Sequence, residues 1–564
     1  MVKRFLERVA TPIRGLVMRP VRSLHQAAYL LAALTLASQL LALLRDRTFA
    51  ASFGAGPTLD MYYAAFRVPD LVFALVASLV SAYVIIPRIT GASREDVRRL
   101  LSESASFLFL VGGGFCLVLA VFMPAFLSLI YPDLAGADSS GQFVLLARLL
   151  LIQPILLGLS GVLASVTQVH RRFLLFALSP VLYNLGIIFG TLVLYPLWGL
   201  SGIGVGVIIG AVAYVMVNVP VLLETGVFPR FVLPRLRTML PVIRDSIPRS
   251  LALGIGSVTA LVLTALAARV GTGAVSVFTL AGNLEAVPLA LIGSSYAVAA
   301  FPALSEASTH EGRAEFTRIL SASSRHIVLW SMVSIGLIVV LRAHVVRTVF
   351  GTGAFDWDAT RLTAALLALL AVGLVAQGLV LLFSRGLFAT KQSWRPLVYQ
   401  IAAGVATVAL AVVLLALPPA GFPSQLAAWL RVGDVAGSNV LLVAFAASLG
   451  QILLAIFLLV ALARQAPGLA RALARPLVHG MLAALAGGAA AYGILAILGD
   501  IAPLTTLVAV ATQGAIAGVA GLAAAALVLA LLRNAEFADI LGALARTGHP
   551  KHVLTPSADE LAKP

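Results

Sequence analysis

The feature that most constrains this chain is a succession of apolar runs about 20 residues long, each sufficient to cross the hydrocarbon core of a bilayer as a helix. Fourteen can be read, near 27–49, 60–89, 103–131, 142–168, 174–197, 201–224, 247–270, 275–303, 316–349, 359–388, 396–417, 437–463, 474–498 and 502–532. Inside a bilayer every backbone polar group must be satisfied by the protein itself, so only helices and closed barrels span it. The period-2 alternation of a barrel is missing, which leaves an all-α polytopic membrane protein. Composition agrees: 11% of the 564 residues are charged, against about a quarter in an ordinary soluble domain.

The remaining charges are ordered along the chain. Lys3, Arg4, Arg8, Arg14, Arg19 and Arg22 precede the first run. Arg88/Arg94/Arg98/Arg99, Arg171/Arg172, Arg230/Arg235/Arg237/Arg244, Lys391/Arg395 and Arg464/Arg471/Arg475 all follow even-numbered runs, whereas the connection YPDLAGADSSGQ carries only acids. Positive residues are retained on the cytoplasmic side, so both termini are expected there. The net charge of +16 therefore reads as membrane orientation and not as a nucleic-acid surface. The first run is too long for the core of a cleaved signal. A single cysteine, Cys116, excludes an intramolecular disulfide and a cysteine-based metal site.

The sequence also repeats. SPVLYN (179–184) matches RPLVYQ (395–400) at an offset of 216, FGAG (53–56) matches VGTG (270–273), and SAYVIIPRIT (81–90) resembles YAVAAFPALS (296–305). Six runs separate the copies, and an even number preserves orientation, so two parallel six-helix repeats followed by two C-terminal helices are expected. The corresponding division is a basic cytoplasmic segment (1–24), a first bundle (25–225), a basic cytoplasmic linker (226–246), a second bundle (247–465), two added helices (466–533) and a cytoplasmic tail (534–564). Leu6, Val9, Ile13 and Val17 sit at helical spacing among the N-terminal arginines, as in a helix lying on an anionic surface, while Pro12 and Pro20 suit a disordered lead-in equally well. The tail after Arg533 reads as flexible. Gly112-Gly113-Gly114 suits a close helix contact or a hinge.

Ionisable side chains inside a membrane are costly and mark functional positions by default. The first two runs carry Arg45, Asp46, Arg47, Asp60, Arg67 and Asp70. Arg45 and Asp46 either end the first run in headgroup water or face a wet cavity, where an arginine fork can grip phosphate oxygens while the aspartate orients it. Gly54 and Gly56 suit a tight turn, after which Asp60 caps the next helix or pairs with an arginine.

LLRDRTFAASFGAGPTLDMYYAAFRVPDL resembles the opening hairpin of the MurJ/MviN family, with its R-D, F-G-A-G, acid and P-x-L elements, and the likeness extends through Pro87. FGTGAFDWDATRL (350–362) is similar to that family's segment between spans nine and ten. The resemblance implies a flippase of the MOP superfamily in the bacterial inner membrane. Such a protein moves a polyprenyl-pyrophosphate-linked saccharide, most often the peptidoglycan precursor lipid II, from the cytoplasmic to the periplasmic leaflet by alternating access. It implies no cofactor, coupling to the membrane potential or a monovalent ion, and contact with membrane lipids and the peptidoglycan-synthesis machinery.

Residue by residue, the family's R-D pair falls on Arg45 and Asp46, and its acid after G-A-G on Asp60. Three basic family positions carry Gln39, Phe73 and Asn283, and an E-G pair becomes Ser78-Leu79. Arg67, Arg148, Arg249, Arg269, Arg361 and Arg385 are candidate replacements, with Arg249 favoured by its place beside Pro248. The expected substrate-binding set is therefore Arg45, Asp46, Asp60, Arg67, Arg249, Asn283 and the nearby Glu285. The alternatives are a flippase for another undecaprenyl-linked glycan and a MATE-like ion-coupled exporter. An arginine-lined cavity disfavours cationic cargo. The eight histidines are scattered and no HExxH or Walker pattern occurs, so no enzyme is expected.

Overall fold

A computed structural model describes residues 24–546 apart from 139, 171, 309–311, 393 and 500–505. All but the last residue of the expected basic segment 1–24, and the tail beyond 546, lie outside the described residues. Among the described residues there is no strand. Eleven helices, from Arg94–Ile130 to Leu507–Leu531, are each long and apolar enough to span a bilayer. Two further spans are bent pairs: Pro57–Leu75 with Ala77–Ile89, at 43°, and Trp357–Val372 with Leu374–Ala389, at 45°. The first expected run lies within the helix Leu24–Phe53. In order and position these helices follow the apolar runs of the sequence, and the chain is a multi-pass helical membrane protein.

Two compact units divide the chain. One runs to Phe49 and resumes from Pro57 to Leu261; the other comprises Ala50–Gly56 and everything from Val262 onward.

In the first unit, small residues bring helices into backbone contact. Leu174–Trp198 and Leu200–Thr225 meet through Gly186 and Gly190 on one side and Gly202, Gly206 and Gly210 on the other. A Cβ added to Gly206 would lie 2.4 Å from the Gly190 Cα, and one added to Gly186 the same distance from the Gly210 Cα. Lipid offers no hydrophobic drive for helices to associate, so this closeness supplies the packing energy. Gly112 similarly admits Ile155, whereas Gly113 and Gly114 face open space. Only one member of the glycine triplet makes a contact.

The helix Leu236–Ala268 lays Ser246, Ser250 and Gly254, spaced by four residues and therefore on one face, over the bend of the second span. The Ser246 hydroxyl donates to the Leu79 carbonyl (2.8 Å), Ser78 and Ser250 hydroxyls meet at 2.6 Å, and a Cβ on Gly254 would lie 2.3 Å from Leu75. Polar side chains thus serve backbone groups released where the helix breaks.

In the second unit, the turn after the first helix interlocks with two other glycine turns. The Ala354 amide donates to the Ala51 carbonyl (3.0 Å). Gly54, Gly273 and Gly353 all have positive φ, and a Cβ on each would strike a carbonyl oxygen of another turn, at 2.5, 2.5 and 2.3 Å. The sequence match between FGAG and VGTG is thus also a contact. Gly353→Ala is expected to destabilise the protein by about 2 kcal/mol, from the left-handed backbone and the carbonyl contact together. A thermal-unfolding comparison with wild type measures it.

The second bent span breaks at Gly373, whose amide turns back to the Leu370 carbonyl (2.8 Å). Past the last span, the helix Ala535–Arg546 replaces the flexibility expected from Arg533 onward. Asn534 caps it by accepting from the Phe537 amide (2.8 Å), Glu536 pairs with Arg325 (3.1 Å), and Phe537 packs beside Trp330. Phe537, Ile540, Leu541 and Leu544 have helical spacing, a pattern that general composition conceals.

Candidate functional site

Arg45 and Asp46 are neighbours on the helix Leu24–Phe53, and consecutive helical residues ordinarily diverge. The arginine side chain folds back to close the gap. Its Nε and one terminal nitrogen both donate to Asp46 Oδ1, at 2.9 and 2.8 Å, and the other terminal nitrogen donates to Asn184 Oδ1 at 3.1 Å. Asn184 in turn donates to the Pro180 carbonyl (3.0 Å), which fixes its amide with the oxygen toward Arg45. Asp46 is 1% exposed while the Arg45 side chain retains 20%. The pair is a buried carboxylate held by a cation that still reaches open space.

That space is a partly polar cavity of about 280 Å³, with Thr35, Ser38, Gln39, Arg45, Tyr183 and Asn184 on its walls beside the apolar Ala42, Phe176, Ala177 and Pro180. Arg45 therefore lines a hollow within its own unit. Gln39, at a position where the resembled family is basic, lies on the same wall. Beside it stand Phe49, Tyr62, Tyr63 and Phe66, with Phe49–Tyr62 and Tyr62–Phe66 centroids 4.6 and 4.8 Å apart. The Tyr62, Tyr63 and Tyr183 rings are all within electrostatic reach of Arg45. The buried hydroxyls of Tyr63 and Tyr183 have no hydrogen-bond partner among the described residues. Orphaned buried donors of this kind are rare and call for an explanation such as a ligand or water.

The other expected residues separate. Asp60 is 1% exposed in the first turn of Pro57–Leu75, where a helix N-terminus favours negative charge. Arg67 lies in the electrostatic neighbourhood of Tyr63, Asp70 and Tyr131, so Tyr63 is common to it and to the Arg45 pair. Arg249 reaches the Ser81 hydroxyl at 3.4 Å, at the bend of the second span. Asn283 and Glu285 belong to the second unit, on the helix Ala274–Leu289. Glu285 is 6% exposed and accepts from the Gln377 amide, one turn beyond the Gly373 break.

Of the replacement arginines, Arg361 is occupied structurally. It forms a two-pronged pair with Asp434 (2.7 and 2.5 Å) and holds the Arg431 carbonyl. That hydrogen-bonded guanidinium keeps the Asp434 carboxyl below its ordinary range. Asn184, Tyr63, Tyr183 and Gln377 were not legible as site residues. The available signal was an amide or hydroxyl inside an apolar run, and for Tyr183 and Asn184 their place in the repeated SPVLYN.

A larger cavity, about 860 Å³, lies in the second unit and is almost wholly apolar, lined by Val339, Val375, Leu379, Ile456, Met481 and Tyr492 among others. Tyr492 is the one lining residue with a polar side-chain group, and the cavity's dimensions and otherwise apolar lining suit a hydrocarbon chain.

Comparison with known proteins gives a consistent result. A family profile described as "Lipid II flippase MurJ" matches residues 49–511. The lipid II flippase MurJ of Burkholderia cenocepacia is 25% identical over 400 residues, covering 68% of this chain and 76% of that protein. The probable lipid II flippase MurJ of Thermotoga maritima is 27% identical over 386 residues, covering 67% and 77%. Among solved structures, a lipid II flippase MurJ in an inward closed conformation superposes with a TM-score of 0.70 at 19% identity, over 90% of this chain and all of that one. An inward-facing multidrug resistance MATE transporter of the MOP superfamily gives 0.55 at 18% identity, over 74% and 95%. At such identities the structural likeness establishes the fold alone.

Proposed function

The chain belongs to the lipid II flippase MurJ family, and from that premise we propose that it carries lipid II from the inner to the outer leaflet of the bacterial cytoplasmic membrane, with both termini in the cytoplasm. The observation that carries the reading is an arginine fork, braced by a buried aspartate, opening into a partly polar cavity inside a bundle of apolar helices. A pyrophosphate is the group such a fork fits: planar donors meet phosphate oxygens in pairs, and a low-dielectric surround strengthens each contact. Asn184 occupies one arm at present and is the partner that an incoming phosphate oxygen would replace. The unpartnered Tyr63 and Tyr183 hydroxyls add neutral donors close by.

In this reading the saccharide and pyrophosphate occupy polar space, while the polyprenyl tail requires an apolar surround. Alternating access needs points where helices yield, and the breaks at Ala77–Val80 and Gly373 supply them, with the Ser246 hydroxyl serving the Leu79 carbonyl at the first and the Ser448 hydroxyl the Leu369 carbonyl (2.8 Å) at the second. The membrane potential can drive the cycle, since each charge moved is worth about 2.3 kcal/mol per 100 mV.

A second reading, a flippase for another undecaprenyl-linked glycan, draws support from Gln39, Phe73 and Asn283 standing where the family is basic. Export of cations in the manner of MATE transporters is opposed by Arg45 on the cavity wall. The deciding experiment is complementation in a bacterium depleted of its own lipid II flippase. Growth and normal cell shape are expected. Lysis despite verified membrane expression would move the assignment to the other glycan.

A further inference from the structure

The segment between the sixth and seventh spans reads in sequence only as a basic linker. In the structure residues 227–235 form an extended strap without regular secondary structure. The helix Arg94–Phe107 holds it by its backbone: Arg230 N donates to Ser102 Oγ (2.9 Å), Val232 N to Ser106 Oγ (3.0 Å) and Arg235 N to Glu103 Oε2 (3.4 Å). Ser102 and Ser106 are about one helical turn apart and meet amides two residues apart. Pro229 and Pro234 have no amide hydrogen to place.

Clipped in this way, the strap turns its large apolar side chains outward. Phe231 is 69% exposed, Leu233 80%, and Leu236, where the next helix begins, 74%. Interleaved with them are Arg230, Arg235, Arg237 and, further on, Arg244, none of which forms an ion pair among the described residues. Nearby acids are already engaged: Glu103 by Arg99 (3.1 Å), Glu224 by Arg172 (2.6 Å) and Asp245 by Arg88. Glu95 and Asp96 sit in the first turn of their helix, where its dipole favours them.

We propose that this strap is a docking surface for anionic phospholipid headgroups, with the four arginines on the phosphates and Phe231, Leu233 and Leu236 in the acyl boundary beneath. The strap directly follows the membrane-spanning helix Leu200–Thr225, so it begins where that helix leaves the bilayer. Alternating basic and apolar side chains along one short segment match a surface that is charged above and hydrocarbon below. The polar clips hold the backbone so that these side chains are presented without a helix of their own. The inference is independent of which lipid-linked cargo the protein moves.

The test uses the full chain with Cys116→Ala and Leu233→Cys, labelled with an environment-sensitive fluorophore. The protein is reconstituted into vesicles of phosphatidylcholine alone or mixed with phosphatidylglycerol. Quenching by lipid carrying a nitroxide high on its acyl chain is expected to be severalfold stronger in the phosphatidylglycerol vesicles. That preference should disappear in high salt and in the variant R230Q/R235Q/R237Q/R244Q, with the thermal unfolding of that variant unchanged. Equal quenching in both vesicles, or a preference that survives the fourfold substitution, overturns headgroup recognition. A label reached by aqueous iodide and not by the lipid quencher overturns membrane docking altogether and leaves the surface to a protein partner.

Discussion

Arg45→Ala is expected to abolish lipid II translocation and, separately, to destabilise the protein by about 3 kcal/mol. The second effect follows from Asp46, whose carboxylate is 1% exposed and would lose the guanidinium that donates to it twice. Breaking one side of a buried pair typically costs about 3–5 kcal/mol, and the lower end applies because the arginine is partly open to its cavity. The double variant R45A/D46N should recover most of the stability, since a neutral amide needs no counter-charge, while remaining inactive. Arg45→Lys should fall between, because one ammonium cannot give two donors to Asp46 and a third to Asn184 with the same geometry. Thermal unfolding in detergent reads the first quantity, and the appearance of lipid II at the outer leaflet reads the second. Wild-type translocation by a stably inserted Arg45→Ala protein would remove the phosphate-grip account.

The second large effect is expected at Gly206→Val. Its added atoms meet the Gly190 Cα and the Gly186 carbonyl, at 2.4 and 2.7 Å from the Cβ position, and these are backbone atoms that no rotamer change can move aside. The two helices must separate along their whole contact, so the cost lies at or above the upper end for overpacking, about 3 kcal/mol. Gly114→Ala is the matched control: it adds a methyl to open space on another helix and should change stability by no more than about 0.5 kcal/mol. Equal thermal stability of the two variants would mean that the glycine seam is not a close contact.

The spans were legible because hydrocarbon imposes a length and a composition on any helix that crosses it. Arg45, Asp46 and Asp60 were legible for the related reason that charge in an apolar run demands explanation. The breaks were less so. Pro69 lies inside the helix Pro57–Leu75 without ending it, whereas the chain breaks at Ala77–Val80, a choice governed by Ser246 and Ser250 on a helix about 170 residues away. The glycine seam was hidden among 48 glycines, since five residues at four-residue spacing acquire meaning only when two helices are set face to face.

By itself the sequence determined the order and approximate number of the helices, the family, and which charges would be unusual in a bilayer. Tertiary structure decided what those charges face: that Arg45 bends back to Asp46 and out to Asn184, that Glu285 is held by Gln377, and that a linker becomes a strap. Length and hydropathy are local sums, which a chain carries wherever it goes. A side chain's partner depends on its rotation about a helix axis and on a neighbour distant in the chain, and neither exists before the helices have packed.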